Sequence, residues 1–293
     1  MYNIFITLIV CVFCGTQATK IPDRLLNNGM KIPIVGLGAM DITEQAVRDA
    51  IDLGYRHIDT SHNYHTSDKK NWSEIIIGKV LNDVFKTGKI RRQDMFIVSK
   101  LEADYHQRQR VVVGIKETLT NLGLDYLDMY LVHHPNSSAP VNISITETWQ
   151  GMIDVLQANL TRSIGVSNFN EQQIDEISKL GVIPVTNQVL CNPYVVQKPL
   201  LAYSDKHYTT LTAYSPIGGS RYPNLLKDPK LVEIAGKHKI TAAQVALKFQ
   251  VQRDVIVIPK ANTLKYLKEN LDLFSFSLTD QEIKDIEALN KRN

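Results

Sequence analysis

The chain has 293 residues, of which 44% are hydrophobic and 22% charged, with a formal net charge of +3 at pH 7. That is ordinary globular composition, and the length admits two average domains or one large barrel. The cations are scattered, and the densest run, Lys89 to Arg92, leads into an apolar segment, so a solvated face is expected and no nucleic-acid partner.

The N-terminus reads differently from the rest. Ile4–Cys14 is almost unbroken apolar sequence, too short to cross a bilayer, and Gly15, Thr16, Gln17 and Ala18 follow it. This pattern predicts a signal peptide over residues 1–18, a mature domain over 19–293, secretion, and no membrane association once the signal is removed. Cys11 and Cys14 fall inside the signal, which leaves Cys191 alone in the mature chain and excludes an intrachain disulfide there. Glycosylation sequons at Asn71, Asn136, Asn142 and Asn159 agree with export. Asn159 is expected to be sterically shielded, one turn ahead of an apolar run.

Asn28-Gly29 between apolar residues predicts a two-residue hairpin turn with φ > 0 at both positions. Beyond it, apolar runs alternate with helical periods. The runs are Ile34–Leu37, His57–Thr60, Met95–Lys100, Asp128–His133, Ser163–Ser167, Val185–Val189, Thr210–Ser215 and Val255–Lys260. The amphipathic stretches are Thr43–Leu53, Ser73–Thr87, Gln107–Leu122, Ile145–Ala158, Glu171–Leu180, Gln197–His207 and Thr241–Val251, and then Thr263–Leu271 and Thr279–Leu289. Thr279 and Glu282 form a capping-box pattern. About eight strand–helix units joined by short links predict an α/β fold, a closed (β/α)₈ TIM barrel entered by an N-terminal β-hairpin.

In such a barrel the C-terminal strand ends face the active site. Asp59, Lys100, His133, Ser167, Asn168, Gln188, Tyr214, Ser215 and Lys260 each stand at or just after the end of an apolar run. Chance polarity at strand ends does not explain amides and charges recurring at the same point around a ring. Ile34-Val35-Gly36-Leu37-Gly38, with Asp59 some twenty residues on, imitates a dinucleotide-binding fingerprint. The third glycine is missing, and Asp41 would bring an acid to the pyrophosphate at a helix N-terminus, so an open six-stranded sheet is rejected.

Gly54-Tyr55-Arg56-His57-Ile58-Asp59-Thr60-Ser61-His62-Asn63-Tyr64, Ile97-Val98-Ser99-Lys100 and Leu131-Val132-His133-His134-Pro135 resemble the aldo-keto reductase family. The resemblance continues, in the family's order, through Ser163 to Phe169, Asn187-Gln188, Ala213-Tyr214-Ser215-Pro216 and Ile258-Pro259-Lys260, over nearly all of the mature chain. Each segment is weak alone, and together they are specific.

The resemblance implies a four-residue catalytic site. Tyr64 would be the general acid, Lys100 would lower the phenol's pKa from its free value near ~10, Asp59 would pair with Lys100, and His133 would orient the substrate oxygen. Singly, a loop tyrosine is usually surface and a strand-end lysine usually solvated; the joint placement argues otherwise. The resemblance further implies NADPH as cofactor. Ser167, Asn168 and Gln188 match the groups that hold the nicotinamide carboxamide, and Tyr214 the ring that stacks on it. Ser215, Ile217 and Gly218 match the pyrophosphate wrap.

Lys260, Ala261, Asn262, Thr263, Tyr266 and Asn270 match the adenosine 2′-phosphate end. There Ala261 replaces a frequent Ser and Tyr266 a frequent Arg, which removes a bidentate contact that Lys265 and Lys268 offset in part. Met40, beside the cofactor, and His134 stand where pocket aromatics are common. With Tyr64 and His133 they would contact the substrate. The stretch His65 to Trp72 is expanded, and the long C-terminal tail of many mammalian members is not expected, so an open pocket is expected.

The expectation is therefore a monomeric NADPH-dependent reductase of small-molecule aldehydes or ketones, without a metal. Exported insect members of the family extend the candidates to a steroid ketone such as 3-dehydroecdysone. The alternative is a secreted, catalytically silent barrel that binds small apolar ligands, but a binder has no need of Lys beside Tyr. A glycosidase barrel would need paired acids at strand ends, where only Asp59 is found.

Overall fold

The computed structural model describes residues 21–66, 71–137 and 143–291. The expected signal over 1–18 and the Asn142 sequon lie outside the described residues.

The hairpin comes first: β1 (Asp23–Leu25) pairs antiparallel with β2 (Lys31–Pro33), Leu25 opposite Lys31. Its turn is longer than the sequence predicts. Leu26 N–H bonds Met30 O, so three residues form the loop, and only Gly29 takes positive φ, at 84°. Asn28 instead accepts a hydrogen bond from Met30 N–H at 3.1 Å. A glycine at the last loop position lets the ladder resume with a bulge, which removes the demand for φ > 0 at Asn28.

Eight parallel strands follow. They are β3 (Leu37–Gly38), β4 (His57–Asp59), β5 (Phe96–Leu101), β6 (Met129–Val132), β7 (Ile164–Ser167), β8 (Thr186–Leu190), β9 (Thr210–Tyr214) and β10 (Ile256–Val257). Each pairs with the next in sequence order. A bridge between Val35 and Val257 joins the first to the last, with Gly36 N–H to Val257 O at 2.8 Å and Val257 N–H to Ile34 O at 2.9 Å. The sheet closes as a (β/α)₈ barrel.

Of the two glycines that imitate a nucleotide fingerprint, Gly38 serves this closure and Gly36 makes room for the His57 ring on β4. A Cβ on Gly36 would meet the His57 ring at 2.5 Å, and one on Gly38 would meet the Ile258 carbonyl oxygen at 2.5 Å. At Gly38 the chain must be bare because the seam is drawn together there.

Helices return the chain between strands: α1 (Glu44–Leu53), α2 (Ser73–Lys86), α3 (Arg108–Leu122), α4 (Ile145–Gln157), α5 (Glu171–Ser178) and α6 (Lys198–His207). Between β9 and β10 come α7 (Pro229–His238) and α8 (Ala242–Val251), and after β10 come α9 (Leu264–Leu271) and α10 (Asp280–Glu287). Thr43, Ser144, Asn170, Thr241, Thr263 and Thr279 cap their helices through side-chain oxygens, and Thr279 with Glu282 completes the expected capping box. The main core lies between strands and helices, with Leu37, Ile58, Ile97, Leu131 and Val166 at 0% exposure. Burying each such side chain stabilises the fold by about 1.5–3 kcal/mol. A second cluster, around Leu231, Val245, Phe249 and Ile286, packs α7, α8 and α10 together. Among the described residues, no helix is long and apolar enough to cross a membrane.

Candidate active site

The C-terminal strand ends open into a cleft of about 630 Å³. Its walls include Met40, Asp59, Tyr64, His133, His134, Ser167, Asn168, Gln188, Tyr214, Ser215, Ile217 and Lys260. Residues from the strands and from the loops that follow them therefore meet in one place, as the sequence pattern anticipates.

The floor of the cleft is a charge relay built on β4 and β5. Lys100 is fully buried, and its Nζ lies 2.6 Å from Asp59 Oδ1, 2.7 Å from the Thr60 carbonyl oxygen and 3.3 Å from Tyr64 Oη. A buried ammonium is costly unless paired. Burial pulls the Lys100 pKa down, but Asp59 and Tyr64 outweigh it and the net shift is upward, so Lys100 stays charged. Asp59 spends its other oxygen on Gln188, whose Nε2 donates at 2.6 Å.

Tyr64 departs from expectation in one respect. Lys100 lowers its pKa, yet burial raises it more and Asp59 adds to the rise, so the net displacement is upward. The phenol is held protonated, in the form that can donate. Its backbone is pinned too: Tyr64 N–H bonds Ser61 O at 3.1 Å, and Ser73 N–H bonds Tyr64 O at 2.8 Å. His65 bridges Trp72 across the expanded stretch, with ring centroids 3.8 Å apart.

His133 follows β6, its ring centroid 6.0 Å from that of Tyr64 and 4.8 Å from the stacked ring of His134. Its Nδ1 lies 2.8 Å from Glu102 Oε1, and Ser61 Oγ donates to the same oxygen. Glu102 is a second buried carboxylate at the site, 8% exposed, where sequence reasoning counted only Asp59. It stands two residues beyond Lys100, past the end of β5, and nothing in a lone acid of a loop marks it.

Around the rim, Asn168 Nδ2 donates to His133 O and to Ser167 Oγ, both at 3.0 Å, and Ser167 Oγ donates to Gln188 O at 2.8 Å. Tyr214 Oη donates to Asn168 Oδ1 at 3.0 Å. Asn168 and Ser215 hold φ at 63° and 50°, a left-handed strain that collects at strand ends bearing function. This cluster of hydroxyl and amide groups beside one aromatic face suits a planar ring that carries a carboxamide.

At the far end, Lys260 Nζ lies 2.6 Å from Asp41 Oδ2, across the barrel seam. Asn262 Nδ2 donates to Asp41 O at 2.9 Å. The remaining residues expected at the adenosine end lie outside the cleft walls. Ala261 and Asn270 are buried, Thr263 Oγ1 caps α9, and Tyr266 is 53% exposed. Gly218 is buried at φ 97° beneath the wrap residues, with Ile217 in the wall. The donor set fits an extended dinucleotide whose nicotinamide end is enclosed and whose adenosine end rides on the surface.

The sequons are exposed wherever described. Asn71 and Asn136 flank the site, and Asn159 is also exposed, at φ 58° just past α4. The expected shielding of Asn159 is not found, because the left-handed residue swings out of the turn before β7.

A model of the Aldo/keto reductase family matches residues 38–291. Aldo-keto reductase AKR2E4 of Bombyx mori is 37% identical over 299 residues, which span 94% of this chain and 95% of that protein. The crystal structure of the same Bombyx mori protein in complex with NADP superposes with a TM-score of 0.86 at 38% identity, covering 93% of this chain and 94% of that one. Aldo-keto reductase AKR2E5 of the silkworm, complexed with NADPH, has a TM-score of 0.86 at 33% identity, covering 94% and 89%.

Proposed function

The chain belongs to the aldo/keto reductase family and is an NADPH-dependent enzyme of it; we propose that it reduces an aldehyde or ketone to the alcohol, with Tyr64 as the proton donor. When bound, the cofactor supplies hydride to the carbonyl carbon. Tyr64 Oη–H gives its proton to the carbonyl oxygen as that charge develops. The phenolate left behind faces Lys100 at 3.3 Å, and Lys100 is held charged by Asp59. His133 steadies the same substrate oxygen. Ser167, Asn168 and Gln188 hold the carboxamide, and Tyr214 offers the stacking face.

The single observation that carries this reading is the Tyr64–Lys100–Asp59 chain, with a fully buried lysine aimed at a phenol in the cleft wall. A silent binding barrel has no use for an ammonium taken out of water at that cost. For substrate, we propose a carbonyl as large as a steroid ketone such as 3-dehydroecdysone. A cleft of about 630 Å³ with the exposed side chain of Met40 at its lip supports that size. Secretion as a glycosylated monomer is part of the proposal. The apolar run Ile4–Cys14 and exposed Asn71, Asn136 and Asn159 support export.

The test is NADPH oxidation by the full chain against aldehydes, quinones and steroid ketones. Carbonyl-dependent turnover supports the reading. NADPH binding with no turnover on any carbonyl would favour the silent binder.

A further inference from the structure

Glu102 is not among the residues that the family's motifs mark, yet it touches His133 directly. One of its oxygens takes the His133 Nδ1 contact at 2.8 Å and the Ser61 hydroxyl, and Ser61 Oγ lies 3.3 Å from the same ring nitrogen. Burial pushes the carboxyl upward, but His133, Ser61 and Lys100 together hold it below the usual carboxylate range. An ionised carboxylate only accepts hydrogen bonds, and the single Ser61 proton already points at it. The hydrogen between Glu102 and His133 therefore sits on Nδ1.

A neutral imidazole carries one N–H. With that hydrogen on Nδ1, Nε2 of the neutral ring is an acceptor and has nothing to donate to a carbonyl oxygen. Only the doubly protonated ring offers Nε2–H.

We propose that Glu102 is a positioning residue that pins neutral His133 as its Nδ1–H tautomer. Only the imidazolium can then donate Nε2–H to the substrate oxygen, and carbonyl reduction is gated by protonation of the Glu102–His133 pair. This rests on His133 as the oxygen's partner. A charged donor is also about twice as strong as a neutral one, which suits an unactivated ketone.

Six further titratable groups face Glu102. Lys100 is fixed as a cation by Asp59. His134 is pushed down by burial and by His133, and burial takes His106 down to about 4. Tyr64 and Tyr130 are both raised by burial and stay neutral. His62, raised by Glu74, answers chiefly to that carboxylate.

Two measurements test the proposal on the full chain. Nitrogen NMR of the His133 ring at alkaline pH should show hydrogen on Nδ1 in the wild type, and finding it on Nε2 overturns the proposal. In the NADPH-loaded enzyme, kcat/KM for carbonyl reduction should fall about tenfold per pH unit once His133 loses its second proton. Glu102→Gln, whose amide can also donate to Nδ1, allows a neutral ring with Nε2–H, so that fall should disappear. An unchanged pH profile in Glu102→Gln overturns the gating. Full kcat/KM in His133→Ala would instead remove His133 from the substrate oxygen, a distinct failure that leaves the NMR result standing.

Discussion

Lys260 is a cation whose charge is already in use. Asp41 holds it at 2.6 Å, and both side chains are part-exposed, so the pair is modest and screened. A 2′-phosphate brings roughly 1.5–2 negative charges and would compete with one carboxylate for one ammonium. A well-formed charge-assisted contact is worth about 1.5–3 kcal/mol, and exposure favours the lower end. Lys260→Ala should therefore weaken NADPH binding about tenfold and NADH binding little. Asp41→Asn, which frees Lys260, should tighten NADPH selectively. Fluorescence titration with both cofactors checks this, and equal effects on NADPH and NADH would remove Lys260 from the phosphate. Most of the site is legible residue by residue, because Asp59, Lys100, His133 and Gln188 each interrupt an apolar run at a strand end. Glu102 and Asp41 are not, because each lies in a loop, where an acid looks like any solvated acid until the fold brings its partner to it.

The segment Ser61–Tyr64 links β4 to α2 and carries the proposed proton donor, and its anchor is ionic. Glu74 on α2 is fully buried and accepts from Ser99 at 2.7 Å and Asn121 at 3.0 Å. His62 Nδ1 lies 3.4 Å from Glu74 and its Nε2 3.6 Å from Glu117. Glu74 raises the His62 pKa above its ordinary value, against partial burial, which lowers it. A raised histidine stabilises the fold fully below the unfolded value of about 6.5, and the gain is lost as pH rises through the higher folded value. The melting temperature of the wild type should thus fall across that window by more than that of His62→Gln. Parallel pH profiles for the two would show that His62 does not anchor the loop. Element by element, among the described residues, the strands and nine of the helices are readable from their apolar period, and six of those nine also carry a side-chain N-cap. The helix α7 is not, since it follows Gly218, Gly219, Pro223 and Asn224 and two short 3₁₀ turns, and it packs on α8 and α10 instead of the sheet. The hairpin turn was longer than the Asn-Gly pair signalled, because Gly29 alone supplies the positive φ.

As a whole, the molecule is one barrel closed at Val35 and Val257, with Cys191 free and buried. Burial raises that thiol to about 11, so it stays protonated and inert, and an oxidising compartment poses it no hazard. Expressed in insect or mammalian cells, the protein should reach the medium, begin near Thr19 and lose mass on deglycosylation. Asn159→Gln should remove part of that mass, since Asn159 is exposed. An intracellular product that retains residues 1–18 would contradict export. The closed ring was legible from eight alternations, whereas the seam was not. Gly36 and Gly38 look like a phosphate loop in sequence, and only the close approach of His57 and Ile258 shows what they are for.

The proposed chemistry rests on a buried Lys100–Asp59 pair that serves a phenol giving up its proton in the chemical step. It is tested most directly by single-turnover carbonyl reduction with Tyr64→Phe, alongside fluorescence titration of NADPH with the same variant. The expected rate is lower by about 10²–10⁴-fold, with NADPH affinity close to that of the wild type. A variant that reduces carbonyls at near wild-type rate would contradict it.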